Sequence, residues 1–381
     1  MQLSPRDRRV GVTTASFEHR RPWRPGLLAS ATLAALTAVL LGTTAAAAAV
    51  GWAGAAPLHT PRYGLGAATG PDGRIYAVGG YDGSNPVTTL EAYTASTNSW
   101  ATLAPMLTAR YYLAATTGSD GRIYALGGRN GGGTNINVVE AYTPATNSWV
   151  TVAPLPTARA QLAAVTGSDG RIYAIGGENG SYLTTVEAYT PSTNTWDTTV
   201  APLPATRSVL AAAAGPDGRI YAIGGYDGAV HADLYAYTPG TNSWATVASM
   251  PTARFALAAA TGPDGRIYAV GGYDGSNDLA TAEAFTPGTN SWAGVSPMPA
   301  GPRRYPAAAT GPDGRTYVIG GFHGGGPLTT VEAYDTGTPP AVLADLGYPG
   351  LALVLGAAAV AGFLVARRRT SPAHTTRAHR G

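Results

Sequence analysis

The sequence predicts an all-β protein built from one repeated unit, and three observations predict it. The dipeptide Gly-Gly closes a short apolar run six times, at Gly79, Gly127, Gly176, Gly224, Gly271 and Gly320, with spacings of 48, 49, 48, 47 and 49 residues. An Arg stands 17 residues before each pair, at Arg62, Arg110, Arg159, Arg207, Arg254 and Arg303. An aromatic residue stands seven before a Trp in five copies, from Tyr93/Trp100 to Phe285/Trp292. A unit of this size cannot bury its apolar face alone, so the copies must stack on one another.

The chain opens on a segment of another kind. Residues 1–25 carry six Arg, and residues 27–49 are apolar and Ala-rich, ending in an Ala-x-Ala site at Ala47 and Ala49. This is the pattern of a signal peptide over 1–49, or of an uncleaved signal anchor.

The first copy then shows what one unit contains. An apolar stretch after Arg62 leads to Pro71-Asp72-Gly73-Arg74, and Ile75-Tyr76-Ala77-Val78 follows, closed by Gly79-Gly80. Asp-Gly between two apolar runs predicts a hairpin with a type I′ turn. Gly-Gly ends the second strand where the backbone needs freedom that a Cβ forbids. A variable loop precedes Leu90-Glu91-Ala92-Tyr93, and a Thr-Asn-Ser turn leads to the Trp100 strand. Each unit therefore reads as four short antiparallel strands.

These residues resemble the kelch repeat, with its Gly-Gly, its spaced Tyr and Trp and its four-stranded unit of about 50 residues. The resemblance covers residues 52–335 and implies a six-bladed β-propeller over 50–340, an architecture with only short, protected edges. The sixth copy lacks its Trp: Ala341 stands seven after Tyr334. Trp52, ten residues before Arg62 as Trp100 is before Arg110, supplies the missing position. An N-terminal strand near Gly51–Ala56 is thus expected to close the last blade.

Beyond Pro339-Pro340, residues 346–366 carry no charge and suit one transmembrane helix, with Arg367, Arg368 and Arg369 directly after. Positive residues stay inside, so 367–381 reads as a basic cytoplasmic tail and the propeller as extracellular on a single-pass cell-membrane protein. The basic balance belongs to these ends. Residues 51–340 hold 14 Arg against 19 acidic residues, which excludes a nucleic-acid surface. With no Cys there are no disulfides, so packing alone must hold the ring. Absent Lys and abundant Ala point to a GC-rich bacterial genome.

The resemblance also implies that two sets of loops share one end of the channel and line a partner-binding surface. One set holds the residue after each Gly-Gly: Tyr81, Arg129, Glu178, Tyr226, Tyr273 and Phe322. The other sits beside the spaced Arg: Tyr63, Tyr111, Ala160, Ser208, Phe255 and Arg304, with Tyr112 and Tyr305 one further on. If the six spaced Arg share that face, it is an Arg ring interleaved with aromatics, suited to peptides, acidic groups or sugars. Their identity in all six copies favours a structural role, and the unlike residues are the better ligand-binding candidates. Glu91, Glu140, Glu187, Glu283 and Glu332 share one register, with Tyr235 standing there in the fourth copy, and are expected to pair with a repeated Arg such as Arg74 or Arg122.

The predicted function is therefore a surface module that binds a protein or glycan. No metal, cofactor or catalytic residue is assigned. Kelch-like copper oxidases need a Cys crosslinked to Tyr, and the ring's three His (His59, His231 and His323) lie far apart in sequence. Sialic-acid epimerases also resemble this architecture, which leaves Arg with Glu178 or His323 as an alternative acid–base set. A structural envelope role is the third reading. Tyr81-Asp82-Gly83-Ser84-Asn85 and Tyr273-Asp274-Gly275-Ser276-Asn277 read as turns rather than calcium loops.

Overall fold

The structure, a computed structural model, describes residues 50–338. The predicted signal segment 1–49, transmembrane helix 346–366 and tail 367–381 lie outside the described residues. Among the described residues no helix is long and apolar enough to cross a membrane.

Six four-stranded antiparallel sheets form, one per repeat. In blade 1 the strands are Gly66–Thr69, Ile75–Val78, Leu90–Thr94 and Ser99–Leu103, running outward from the axis in that order. The second strand is buried along its whole length in blades 1 to 5, and in blade 6 from Thr316 onward, because neighbouring sheets cover both its faces. That is why it reads Ile-Tyr-Ala-Val or a close variant, without polar alternation.

The sixth blade closes with the N-terminal strand Gly51–Ala55, which pairs with Val331–Asp335 so that Trp52 stands opposite Tyr334. Elsewhere each outer-strand Trp donates its indole N–H to a carbonyl of the link before its blade, as Trp100 does to Ala56 at 2.7 Å. Trp52 does the same to Ser296 at 2.6 Å. It fills the sixth Trp position in contact as well as in register.

The Asp-Gly turns differ from the expected type. Only the Gly has positive φ (+76° at Gly73), and Gly73 N–H donates to Gly70 C=O at 3.0 Å. This is a longer loop with Gly at its last position, not a two-residue type I′ turn. The Asp is there for its side chain. Asp72 accepts hydrogen bonds from Tyr76 Oη at 2.6 Å and Arg74 Nε at 2.7 Å, and the Arg74 guanidinium lies 5.3 Å from the Tyr76 ring. Burial would raise the Asp72 pKa, but those hydrogen bonds outweigh it and the carboxyl sits below its ordinary value.

The Gly-Gly pair is an inter-blade device. Gly80 N–H donates to Arg110 C=O of the next blade at 3.0 Å, and the same bond runs round the ring to Gly321 and Arg62. A Cβ on Gly79 would lie 2.9 Å from the Arg110 carbonyl oxygen. The two loops seen as turns, at Asp82 and Asp274, are Asx turns: each carboxylate accepts two main-chain N–H groups ahead of it.

The repeated Glu take a different Arg from the one expected. Glu91 pairs with Arg62, not Arg74, and the same pairing holds for Arg110–Glu140, Arg159–Glu187, Arg254–Glu283 and Arg303–Glu332. Arg74 is instead held by Asp72, two residues away in its own turn. The six spaced Arg are buried inside the blades, so they form no rim. In Arg62, Arg110, Arg159, Arg254 and Arg303 burial pulls the guanidinium down while the paired Glu holds it up.

Candidate functional site at the channel mouth

The chain leaves each Gly-Gly directly into a bridge with the residue that follows the blade's Arg. Tyr63 meets Tyr81, Tyr111 meets Arg129, Ala160 meets Glu178, Ser208 meets Tyr226, Phe255 meets Tyr273, and Arg304 meets Phe322. The two sets of candidates are therefore one ring, because each blade's strand geometry pairs one member of each set. All ten candidate binding residues lie in it. All ten are partly exposed, while Ala160 and Ser208 are buried.

A second ring encircles the channel beneath. Gly64, Tyr112, Gln161, Val209, Ala256 and Tyr305, each two residues after a spaced Arg, have φ between +53° and +60°. Gly64 N–H donates to Tyr305 C=O at 3.1 Å, Tyr112 to Gly64 at 2.7 Å, and so on through Tyr305 to Ala256, a closed circle of six main-chain hydrogen bonds. Five non-glycine residues are held left-handed, which costs on the order of 1–2 kcal/mol each and persists because the circle requires it. The varied side chains at these positions carry no sequence signal for it. A cavity of about 120 Å³ lies at this ring, and a separate one of about 340 Å³ is lined by Ala and Thr of the inner strands.

Three sectors of the mouth differ in chemistry. Blades 6, 1 and 2 bring Tyr63, Tyr81, Tyr111, Tyr112, Tyr305 and Phe322 together, with ring centroids 4.7–6.0 Å apart. Burial pushes the Tyr112 and Tyr305 phenols up, with neighbouring phenols adding to the shift at Tyr112. Between blades 2 and 3, Arg129 donates to Glu178 at 2.5 Å and to Asn135 at 3.0 Å, and lies 5.9 Å from the Tyr112 ring. A cleft of about 640 Å³ opens beside this pair.

Between blades 5 and 6, Arg304 stacks 5.1 Å from both Tyr273 and Phe322. Asp278 lies 3.5 Å from Arg304 Nε and 3.0 Å from His323 Nδ1. Tyr226 and Phe255 meet at 5.1 Å on the remaining arc. Blade 4 also breaks the symmetry. Tyr235 replaces the buried Glu, and Arg207 is met from the loop by Asp227 at 3.1 Å and by Asp233, with His231 2.6 Å from Asp227.

Asn135 and Asp278 escaped sequence reasoning because they lie in loops of unequal length, where no register identifies them. Among the described residues no group of three His, Cys, Asp or Glu is placed to hold a metal ion.

A family model described as the Attractin/LZTR1 beta-propeller matches residues 75–326. No curated protein matches the chain. Among solved structures, the one titled "Structure of YjhT" aligns with a TM-score of 0.62 at 18% identity, covering 72% of this chain and 95% of that one. At that identity the likeness shows the fold alone.

Proposed function

The chain belongs to the Attractin/LZTR1 β-propeller family, and from that premise we propose that its propeller is a binding module engaging a protein or glycan through the channel mouth. β-Propellers of this kind typically serve as protein-interaction modules. The observation that carries the reading is the ring itself. The positions that vary between otherwise repeated blades gather on one partly exposed rim, over a circle of six main-chain hydrogen bonds. Fixed strands with tuned loops are how a scaffold presents a binding surface, and clustered Tyr with Arg is the composition of interface hot spots. The uncharged stretch 346–366 and the Arg that follow it support display at a bacterial cell surface, anchored by one span.

The test is capture of cell-surface proteins and arrayed glycans by the full chain in mild detergent. Replacing Arg129, Tyr226, Tyr273 and Phe322 together should abolish the capture; ligands retained in full would refute a mouth site. One observation favours an enzymatic second reading: Asp278 holds His323 through Nδ1, beside the stacked Arg304. An Asp-oriented imidazole is a general-base arrangement. On that reading His323→Ala abolishes turnover of a captured sugar while binding persists.

A further inference from the structure

We propose that Asn179 is a site of spontaneous covalent modification, its side-chain amide converting to a carboxylate through a succinimide formed with Gly180. The chain carries Asn-Gly at Asn130-Gly131 and Asn179-Gly180, each at the same place in its blade, directly after the residue that follows Gly-Gly. Chemistry and position match; the environments do not.

Asn130 is tied down. Its Oδ1 accepts hydrogen bonds from the main-chain N–H groups of Gly132 at 3.0 Å and Thr134 at 3.1 Å. Asn179 is exposed, and among the described residues its side chain makes no hydrogen bond. Gly180 is exposed as well, at φ +101°, and a Cβ there would meet nothing within 4 Å. Its N–H donates to no described carbonyl. A glycine nitrogen without side-chain bulk and with an unengaged N–H is open to nucleophilic attack geometry that other residues obstruct.

In the reaction the Gly180 nitrogen loses its proton and bonds to Asn179 Cγ, and the side-chain nitrogen leaves as ammonia. Water then opens the ring, giving aspartate by attack at Cγ or isoaspartate by attack at the main-chain carbonyl. No oxidant or reductant is needed. The product places a new carboxylate beside Glu178, the partner of Arg129 at 2.5 Å, in the cleft that Asn179 and Gly180 line. The isoaspartate route also lengthens the loop's main chain by one carbon. The mouth thus gains negative charge with the age of the molecule, a change that does not depend on which ligand it binds.

The experiment is peptide mapping of the full chain after incubation in ¹⁸O-water at mildly alkaline pH, folded and in concentrated urea. In the folded chain Asn179 should gain labelled aspartate and isoaspartate at least roughly tenfold faster than Asn130, the factor two intact hydrogen bonds supply. In urea the two rates should converge, because the dipeptides are identical. Asn179→Gln should remove the label from that position alone. Equal rates in the folded chain, or a folded Asn179 that stays unlabelled while the urea sample converts, would overturn the proposal.

Discussion

Arg207 faces Tyr235 where the other five blades set the same Arg against a buried Glu. Its Nη2 lies 3.3 Å from the Tyr235 hydroxyl, and its charge is met by Asp227 and Asp233 from the loop above. The loop carboxylates are reached by water, with Asp233 36% exposed, whereas Glu187 in the neighbouring blade is 3% exposed.

That contrast sets the first prediction. Glu187→Gln strands Arg159 in the interior and should cost about 3–5 kcal/mol, as breaking a buried pair does. Asp233→Asn should cost about 1 kcal/mol or less, because the pair is screened and Asp227 remains. Urea unfolding of both variants measures the difference; equal costs would mean blade 4 is as dry as the rest.

The closing strand is the second. Trp52 packs on Tyr334 at 5.1 Å and bonds Ser296, so Trp52→Ala should lower stability by about 2–4 kcal/mol. Deleting residues 50–57 should do far more, since it leaves Val331–Asp335 as an unpaired edge. An unchanged melting temperature in the deletion would show that the ring does not depend on this strand.

The third concerns alkaline pH. Tyr76, Tyr124, Tyr173, Tyr221, Tyr268 and Tyr317 all have raised phenol pKa values, from burial first and then from the hydrogen bond each gives its Asp. A raised acid binds its proton more tightly in the folded state. The stabilisation is therefore complete below the unfolded value near 10 and is lost as pH rises beyond it. Melting temperature should fall steeply above about pH 10, and Tyr124→Phe should make that fall shallower. Asp72, Asp120, Asp169 and Asp217 are depressed, so they act in the opposite sense, with their contribution lost as pH drops below about 4.

The fourth tests the axial circle of hydrogen bonds. Gly64 has φ +60°, and a Cβ there would lie 2.7 Å from Tyr112 Cδ1. Gly64→Ala should cost at least about 1–2 kcal/mol in backbone strain alone. It should also speed hydrogen exchange at Tyr112 and Gly64, whose N–H groups sit in the circle. If exchange at those two amides is unchanged, the circle does not depend on Gly64.

Local chemistry determined most of this fold. A short apolar run in each second strand, a Gly where φ must be positive and a Trp at fixed distance from Tyr all act over a few residues, and they repeat. The strands, the six blades and the displaced Trp52 were legible for that reason, and so was the membership of the ten rim residues. The partner of Glu91 was not, because Arg62 and Arg74 are both near it in the chain and only the packed blade shows which one enters its core. Tyr112 and Tyr305 are almost two hundred residues apart in sequence, yet their rings lie 5.0 Å from each other across the closed circle. Contacts between blades depend on where the ring closes and on loops of unequal length, and neither is a local property. The tertiary structure alone therefore decided that the mouth is a Tyr cluster flanked by two stacked Arg, that the repeated Arg lie inside, and that blade 4 carries its counter-charge on a loop.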